Sequence, residues 1–334
     1  MKKKNPKLAV IVLTWNDWKN TIQCIKSLLK SNYKNFDIVL VDNNSNKSNF
    51  NQVIEWLEKK NFQIVPLGFK HNNNKKVDKK SEFKIIIKRI SQVANLRFSK
   101  NIGATKAYNL GIKYALKNNY EYFVRLDCDF IVTKNFLKDS LRTFDKVSNL
   151  ATVSPKIYYH LRKKTKKIWW TGLKIKKNYL KFQKTGGATR KILDVGQFKG
   201  IHETDSFCGC CTMFNSEKFK KINKLDEDFF FGPEDMEASS RLKKYGKLVV
   251  NLNIFTYHKV SQSIFISGIK SRIYFETIGW LLIIKKMCST FDKFQGYSFF
   301  ILRGLVKLLK LFIKKNKDVE IGFLLGIKDF FFRY

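Results

Sequence analysis

The chain's patterned region begins with a continuous apolar run of strand length, Leu8–Leu13, and similar runs return at Phe36–Val41 and Tyr122–Leu126. Between them the apolar period lengthens. Ile22, Ile25, Leu28 and Leu29 share one face of a helix, and Tyr108, Leu110, Ile112, Ala115 and Leu116 ride on another. A further helix is predicted around Gln52–Lys60, leading into an apolar stretch at Phe62–Pro66. Buried strands alternating with amphipathic helices predict an α/β fold with a parallel sheet covered on both faces. Ligands of such sheets bind beyond the carboxyl ends of the strands. Thr14–Asn16, Asp42–Ser45 and Asp127–Asp129 all fall at such ends.

Other stretches break the pattern. Residues 70–93, rich in lysine and asparagine before Ile85-Ile86-Ile87, read as an insertion or lobe on the sheet. From 151 to 200 the order is irregular, with Tyr158, Tyr159, Trp169, Trp170 and Tyr179 among basic residues, and a flexible loop is expected around Gly186-Gly187. Asp205–Phe214 is a compact apolar segment around Gly209, and the acidic knot Asp226–Glu237 follows it. A helix to Tyr245, a strand at Leu248–Leu252 and the pair Tyr257-His258 complete this half. Beyond residue 260 the character changes to aromatic and basic helices. The predicted organisation is a catalytic domain over 1–260, with halves 8–130 and 150–260, and a helical region over 261–334.

Composition narrows the partners. At 334 residues and 44% hydrophobic content the chain can build a sizeable core. A formal net charge of +38 implies a polyanionic environment: nucleic acid, an anionic membrane or phosphorylated substrates. No helix-turn-helix, zinc-finger spacing or RNA-binding aromatic strand pair is visible, which argues against nucleic acid. The cysteines Cys24, Cys128, Cys208, Cys210, Cys211 and Cys288 form neither a zinc pattern nor a disulfide framework. The basic start Met1-Lys2-Lys3-Lys4-Asn5-Pro6 precedes an apolar run too short for a signal peptide, so a cytoplasmic location is expected. In Phe300–Lys315, Arg303, Lys307, Lys310 and Lys314 make one helical stripe with Ile301, Leu302, Leu305, Leu308, Leu309 and Phe312 around it. Charge interrupts it too often to span a bilayer, which needs about 20 apolar residues. It can lie at an anionic membrane surface or pack onto the domain, and Gly279–Ile284 and Gly322–Phe332 offer apolar surface of the same kind.

Three constellations can carry chemistry. Asp127-Cys128-Asp129 offers two carboxylates at a strand end, suited to a hard divalent cation bridging to a diphosphate. Glu234-Asp235, in the frame Phe229–Glu237 before a helix, can supply a general base or simply favour the helix's positive end. Asn101–Gly111 can open a helix with backbone amides turned to a phosphate, with Lys106 adding charge, or be an ordinary helix start. His258, at a strand end, can complete a metal shell or be a hydrogen-bonded core histidine.

Taken together these segments resemble family 2 glycosyltransferases, particularly the bacterial rhamnosyltransferase-like branch. Val10–Asn16, Val41–Ser45, Asn101–Gly103 and Asp127–Asp129 look like that family's donor half. Gly209–Met213, Leu225–Phe230 and Glu234-Asp235 look like its acceptor half, and Arg241 and Gly246 fall where its helix ends. The resemblance implies a GT-A fold of the nucleotide-diphospho-sugar transferase, Rossmann-like type: a mixed sheet covered by helices, here with a C-terminal basic amphipathic helical extension. It implies an inverting, metal-dependent transfer of a sugar from a nucleotide-diphosphate donor to a glycan or polyprenyl-diphosphate-linked acceptor, in cell-surface polysaccharide or glycan assembly. Thr14, Asn16, Asp42, Asn44, Asn101, Gly103, Lys106 and Asp127 would face the donor, Asp42 at its base or ribose. Asp129 would bind magnesium or manganese directly, with Asp127 behind it and His258 assisting. Asp235, paired with Glu234, would deprotonate the acceptor hydroxyl at the inner face of the cytoplasmic membrane. Three departures stand out: the stretch 70–93, Asn223 in place of a frequent glycine, and Arg125 in a normally apolar strand. A nucleotidyltransferase of related fold is the main alternative, but Thr14-Trp15-Asn16-Asp17-Trp18 stands where such enzymes carry a glycine-rich, arginine-bearing loop.

Overall fold

Leu8 through Val12 have no side chain that gains from water, and all five are fully buried. The strand they form lies beside the central strand of the main sheet. The computed structural model describes residues 5–60, 62–66, 84–89, 101–161, 163–175, 182–183, 192–260, 268–290, 292–298, 300–302, 304 and 317–334. The first half contains β1 (Leu8–Thr14), α1 (Trp18–Leu29), β2 (Phe36–Asp42), α2 (Lys47–Lys59), β3 (Gln63–Pro66), β4 (Lys84–Arg89), α3 (Ala104–Lys117), β5 (Tyr122–Asp127), β6 (Phe130–Val132) and α4 (Phe136–Lys146). The second contains β7 (Leu150–Leu161), β8 (Lys163–Trp170), β9 (Lys174–Ile175), β10 (Phe182–Gln183), β11 (Ile201–Glu203), β12 (Cys211–Asn215), α5 (Ser216–Lys220), α6 (Glu234–Leu242) and β13 (Lys247–His258). Two long helices follow, α7 (Ile269–Met287) and α8 (Lys317–Arg333).

The main sheet has the order β11-β13-β7-β12-β5-β1-β2-β4-β3, with β6 added to β13 and β8 to β7. Strands β3, β4, β2, β1 and β5 run parallel. Strand β12 runs antiparallel to both β5 and β7, so the sheet is mixed and its two halves meet at β5. The stretch expected as an insertion holds a strand of this sheet: β4 lies between β2 and β3, with Ile85 and Ile86 fully buried. Residues 70–83 and 90–93, the loop at Gly186-Gly187 and most of the Phe300–Lys315 stripe lie outside the described residues.

Each face of the sheet is covered. Val10, Val12, Val124 and Leu126 pack with Ile25 and Leu28 of α1 and Leu137 and Leu141 of α4. Ile11, Val39 and Phe123 pack with Tyr108 and Ile112 of α3 and Leu242 of α6. A third cluster joins Phe229 and Met236 to Tyr274, Phe275, Ile278, Leu281 and Leu282 of α7 and Phe330 of α8. Gly279–Ile284 is therefore largely interior rather than membrane-facing surface: Leu281 to Ile284 are buried.

Two contacts fasten α3 to the acidic segment. Asn109 accepts from the Leu225 amide at 3.0 Å and donates to the Leu225 carbonyl at 2.9 Å. Gly103 caps the helix at φ +86°, where a Cβ would stand 2.7 Å from the Phe230 carbonyl oxygen. That oxygen accepts the Ala104 amide at 2.8 Å. Backbone of this kind is restricted to glycine and costs other residues about 1–3 kcal/mol. Gly103→Ala should therefore lower unfolding free energy by at least about 1–3 kcal/mol in urea titration, and by more if the Phe230 carbonyl is pushed away.

Candidate active site

The ends of β1 and β2 are built to hold a cleft open. Asn16 and Asn44 take left-handed backbone, φ 51° and 64°, which asparagine tolerates better than most residues. The Asn16 amide donates to Ser45 Oγ at 2.8 Å, and Asn16 Oδ1 accepts the Asn46 amide at 2.8 Å. Thr14, Asp17, Trp18, Asp42, Ser45 and Phe50 line a small cleft beside these strand ends. Thr14 and Asp42 thus line the cleft, while Asn16 and Asn44 shape the loops beside it. Trp18 and Phe50, which carry no motif of their own, supply its aromatic wall.

The glycine turn before α3 is not a phosphate cradle. The Gly103 amide donates to Asn101 Oδ1 at 3.0 Å, Ile102 to Asn43 Oδ1 at 3.2 Å, and Ala104 to the Phe230 carbonyl. With these amides engaged, Asn101 and Gly103 form a joint between the two halves. Lys106 is exposed on the first turn of α3.

At the end of β5 the two aspartates part company. Asp127 accepts a hydrogen bond from the Tyr108 hydroxyl. Burial and then the charge of Asp129 push its carboxyl up to about 6, against the opposing pull of Arg125, Tyr108 and His258. Asp129 turns to His258, whose Nε2 lies 3.2 Å from each carboxylate oxygen. The hydrogen bond is directed at Oδ2, and both Asp129 Oδ1 and His258 Nδ1 are buried with no hydrogen-bond partner. Phe130 stacks on the imidazole at 4.4 Å and Trp169 meets it edge-on at 4.5 Å, fixing the ring. A carboxylate with an orphaned oxygen beside an imidazole is a donor set that could take a hard divalent cation such as magnesium or manganese. No group of three or more metal-ligating side chains occurs among the described residues, so protein donors alone would not complete such a shell. Lys259, a residue without any sequence signal, carries its ammonium to Asn20 Oδ1 at 2.6 Å on α1.

The Glu234-Asp235 pair is also split. Glu234, buried, takes Arg125 Nη2 at 2.5 Å, so it serves as a counter-ion rather than a second base. The Arg125 guanidinium lies over the Tyr108 ring at 4.1 Å. Burial works against its charge, but Glu234, Tyr108 and Asp127 outweigh that and keep it protonated. Asp235 is partly exposed and accepts the Gly209 amide at 3.1 Å. Burial and the neighbouring Glu234 push its carboxyl from the ordinary 3.8 to about 7, while Arg125 and the amides of Gly209 and Met236 hold it down. Gly209 must be small here: a Cβ would stand 3.1 Å from Asp235 Oδ2 and 3.4 Å from Arg125 Nη2.

Breaking a buried ion pair by removing one partner costs about 3–5 kcal/mol, whereas removing both is much milder. Arg125→Met should lose stability on that scale in urea unfolding, and Arg125→Met with Glu234→Gln should recover a large part of it.

The glycosyl transferase family 2 sequence model matches residues 9–78 and 77–223 of the chain. The dTDP-rhamnosyl transferase RfbF of Shigella flexneri is 28% identical over 215 residues, 64% of this chain and 65% of that protein. Among solved structures, GalNAc-T7 with UDP, GalNAc and Mn2+ superposes with a TM-score of 0.56 at 15% identity, over 84% of this chain and 49% of that one. The mannosyltransferase PcManGT from Pyrobaculum calidifontis, with GDP-Man and Mn2+, gives 0.53 at 10% identity over 98% and 88%. The chain thus spans just under two thirds of the Shigella relative's length and about half of GalNAc-T7. The structural likenesses show a GT-A fold, and the sequence match extends over more than half of the residues. By fold and by sequence, the chain belongs to glycosyl transferase family 2.

Proposed function

We propose that the protein transfers a sugar, with inversion, from a nucleoside diphosphate to a hydroxyl of a glycan or lipid-linked acceptor. The observation that carries this reading is a single dipeptide. Gly209 donates its amide to Asp235, while the carbonyl of the next residue, Cys210, accepts the Asp127 amide at 3.0 Å. One short loop thus holds two acidic stations side by side, one suited to the donor and one to the acceptor.

Thr14, Asp42, Trp18 and Phe50 would take the nucleoside in the cleft between β1 and β2. Asp129 and His258 would hold a divalent cation, magnesium or manganese, whose positive charge stabilises the departing diphosphate when it is bound. Asp127, fixed by Tyr108, would face the ribose or a metal-bound water. Asp235 would remove the acceptor proton as the hydroxyl oxygen bonds to the anomeric carbon. The bond from that carbon to the diphosphate breaks on the opposite face, and the diphosphate leaves with the electron pair. A base near neutrality suits this role, since it is both available and strong enough at working pH. The Shigella relative's name makes a thymidine diphosphate sugar the first donor to test. The product would be a cell-surface polysaccharide or glycan. The free cysteines favour a reducing compartment, which supports a cytoplasmic location.

Calorimetric titration with nucleoside diphosphates, with and without manganese, tests the donor site. Asp129→Asn should weaken metal-dependent donor binding by at least about 100-fold. Asp235→Asn should leave donor binding intact and lower kcat by about 10²–10⁴-fold; near-normal turnover would sink the assignment. In the wild type, kcat/KM should rise about tenfold per pH unit below about 7 and level off above it, as Asp235 loses its proton. The same raised carboxyl costs stability as pH climbs from 3.8 towards about 7, because the unfolded chain ionises more readily. Above that range the cost stays constant, so Asp235→Asn should be more stable than wild type in alkaline buffer while inactive.

A further inference from the structure

Helix α8 is apolar on two opposite sides. Val319, Gly322, Gly326 and Phe330 are buried against α7 and its surroundings. Half a turn away, Lys317, Ile321, Leu324, Lys328 and Phe331 follow one another at three- and four-residue steps, and Phe332 lies four residues beyond Lys328, one stripe along the helix. All are exposed: Ile321 39%, Leu324 55%, Phe331 59% and Phe332 81%. Apart from Leu193, Val195, Tyr245 and Phe255, every large apolar side chain left exposed among the described residues belongs to residues 269–334. Asp318 and Glu320 lie to either side of the stripe at the helix start, and no acid interrupts it.

We propose that this outer face of α8 is a docking surface for an anionic phospholipid bilayer. Ile321, Leu324, Phe331 and Phe332 would enter the headgroup boundary, with Lys317 and Lys328 among the lipid phosphates. A helix of this kind lies in the plane of the interface, held by apolar burial and by attraction to anionic lipid together. No helix among the described residues is long and apolar enough to cross a membrane, so the contact is lateral. Charge selects the occupant. A chain of net charge +38 repels a second copy of itself and is drawn to a negatively charged sheet of lipid. The surface is also joined to the acidic loop of the site. Lys286 of α7 pairs with Asp226 and Asp228 at 2.5 Å each, and Phe275 stacks on Phe230 at 3.7 Å. Docking through α8 would therefore hold the Asp235 loop close to the membrane, where a lipid-linked acceptor would be presented. That last step rests on the transferase reading above; the docking surface does not.

Co-sedimentation of the full chain with phosphatidylcholine vesicles, with and without phosphatidylglycerol, tests the surface without any activity assay. Binding should require phosphatidylglycerol and weaken as salt rises. Leu324→Glu with Phe332→Glu should lower partition at least about tenfold, and Lys317→Gln with Lys328→Gln by about fivefold per lysine. Circular dichroism melting of both variants should match the wild type, because the substituted side chains face solvent. Equal partition of Leu324→Glu/Phe332→Glu and wild type would overturn the proposal, as would failure of the wild type to bind anionic vesicles. A dimer in light scattering that the same double variant dissolves, without vesicle binding, would give the face to a second copy instead.

Discussion

The Arg125 guanidinium sits where β5, α3 and α6 meet, and the arrangement of acids around it follows from that one buried charge. A cation in the interior needs an anion, and Glu234 supplies it at 2.5 Å. The pairing pins the first residue of α6 to the central strand. It also leaves the next residue, Asp235, against the Gly209 amide and partly open to solvent. On its other side the guanidinium covers Tyr108, whose hydroxyl holds Asp127. The carboxylates of Asp127 and Asp235 are thus spaced by a single cationic side chain, which damps the repulsion between them.

Each carboxylate is tuned by where it sits relative to that charge. Asp127 and Asp235 are both pushed upward by burial, to about 6 and about 7, yet with different neighbours. Asp127 feels Asp129 across one intervening residue, a repulsion that a cation would reverse. Asp235 feels Glu234, whose charge is already answered by Arg125. In the proposed transfer the first environment would suit binding and the second proton transfer, a separation of roles between acids of one type.

Much of this was legible in the chain itself. The runs Leu8–Leu13, Phe36–Val41 and Tyr122–Leu126 are apolar without interruption, so strand, sheet and strand-end positions followed from them. Strand β4 escaped notice because Ile85, Ile86 and Ile87 are flanked by Lys84, Lys88 and Arg89 in a lysine-rich stretch. The glycine turn at Gly103 was ambiguous for another reason. Whether its amides face a ligand or the Phe230 carbonyl depends on a residue more than a hundred positions away. The same distance hid Asn109 and Lys259, whose partners come from other elements. Arg125 did give a signal, since an arginine in an apolar strand demands a buried partner. Which of several acids would answer it is decided only by the packing of α6 on the sheet.

The packing of α7 against Phe229–Met236 has a consequence for how such a chain can diversify. The match to the family model ends at residue 223, before Asp235, the aromatic loop and both long helices. Beyond that point the aromatic loop and α7 form one interlocked block, with Gly279 so close to Pro233 that a Cβ there would stand 2.9 Å from its ring. Point changes in the loop alone would have to be accommodated by a helix already pressed against it.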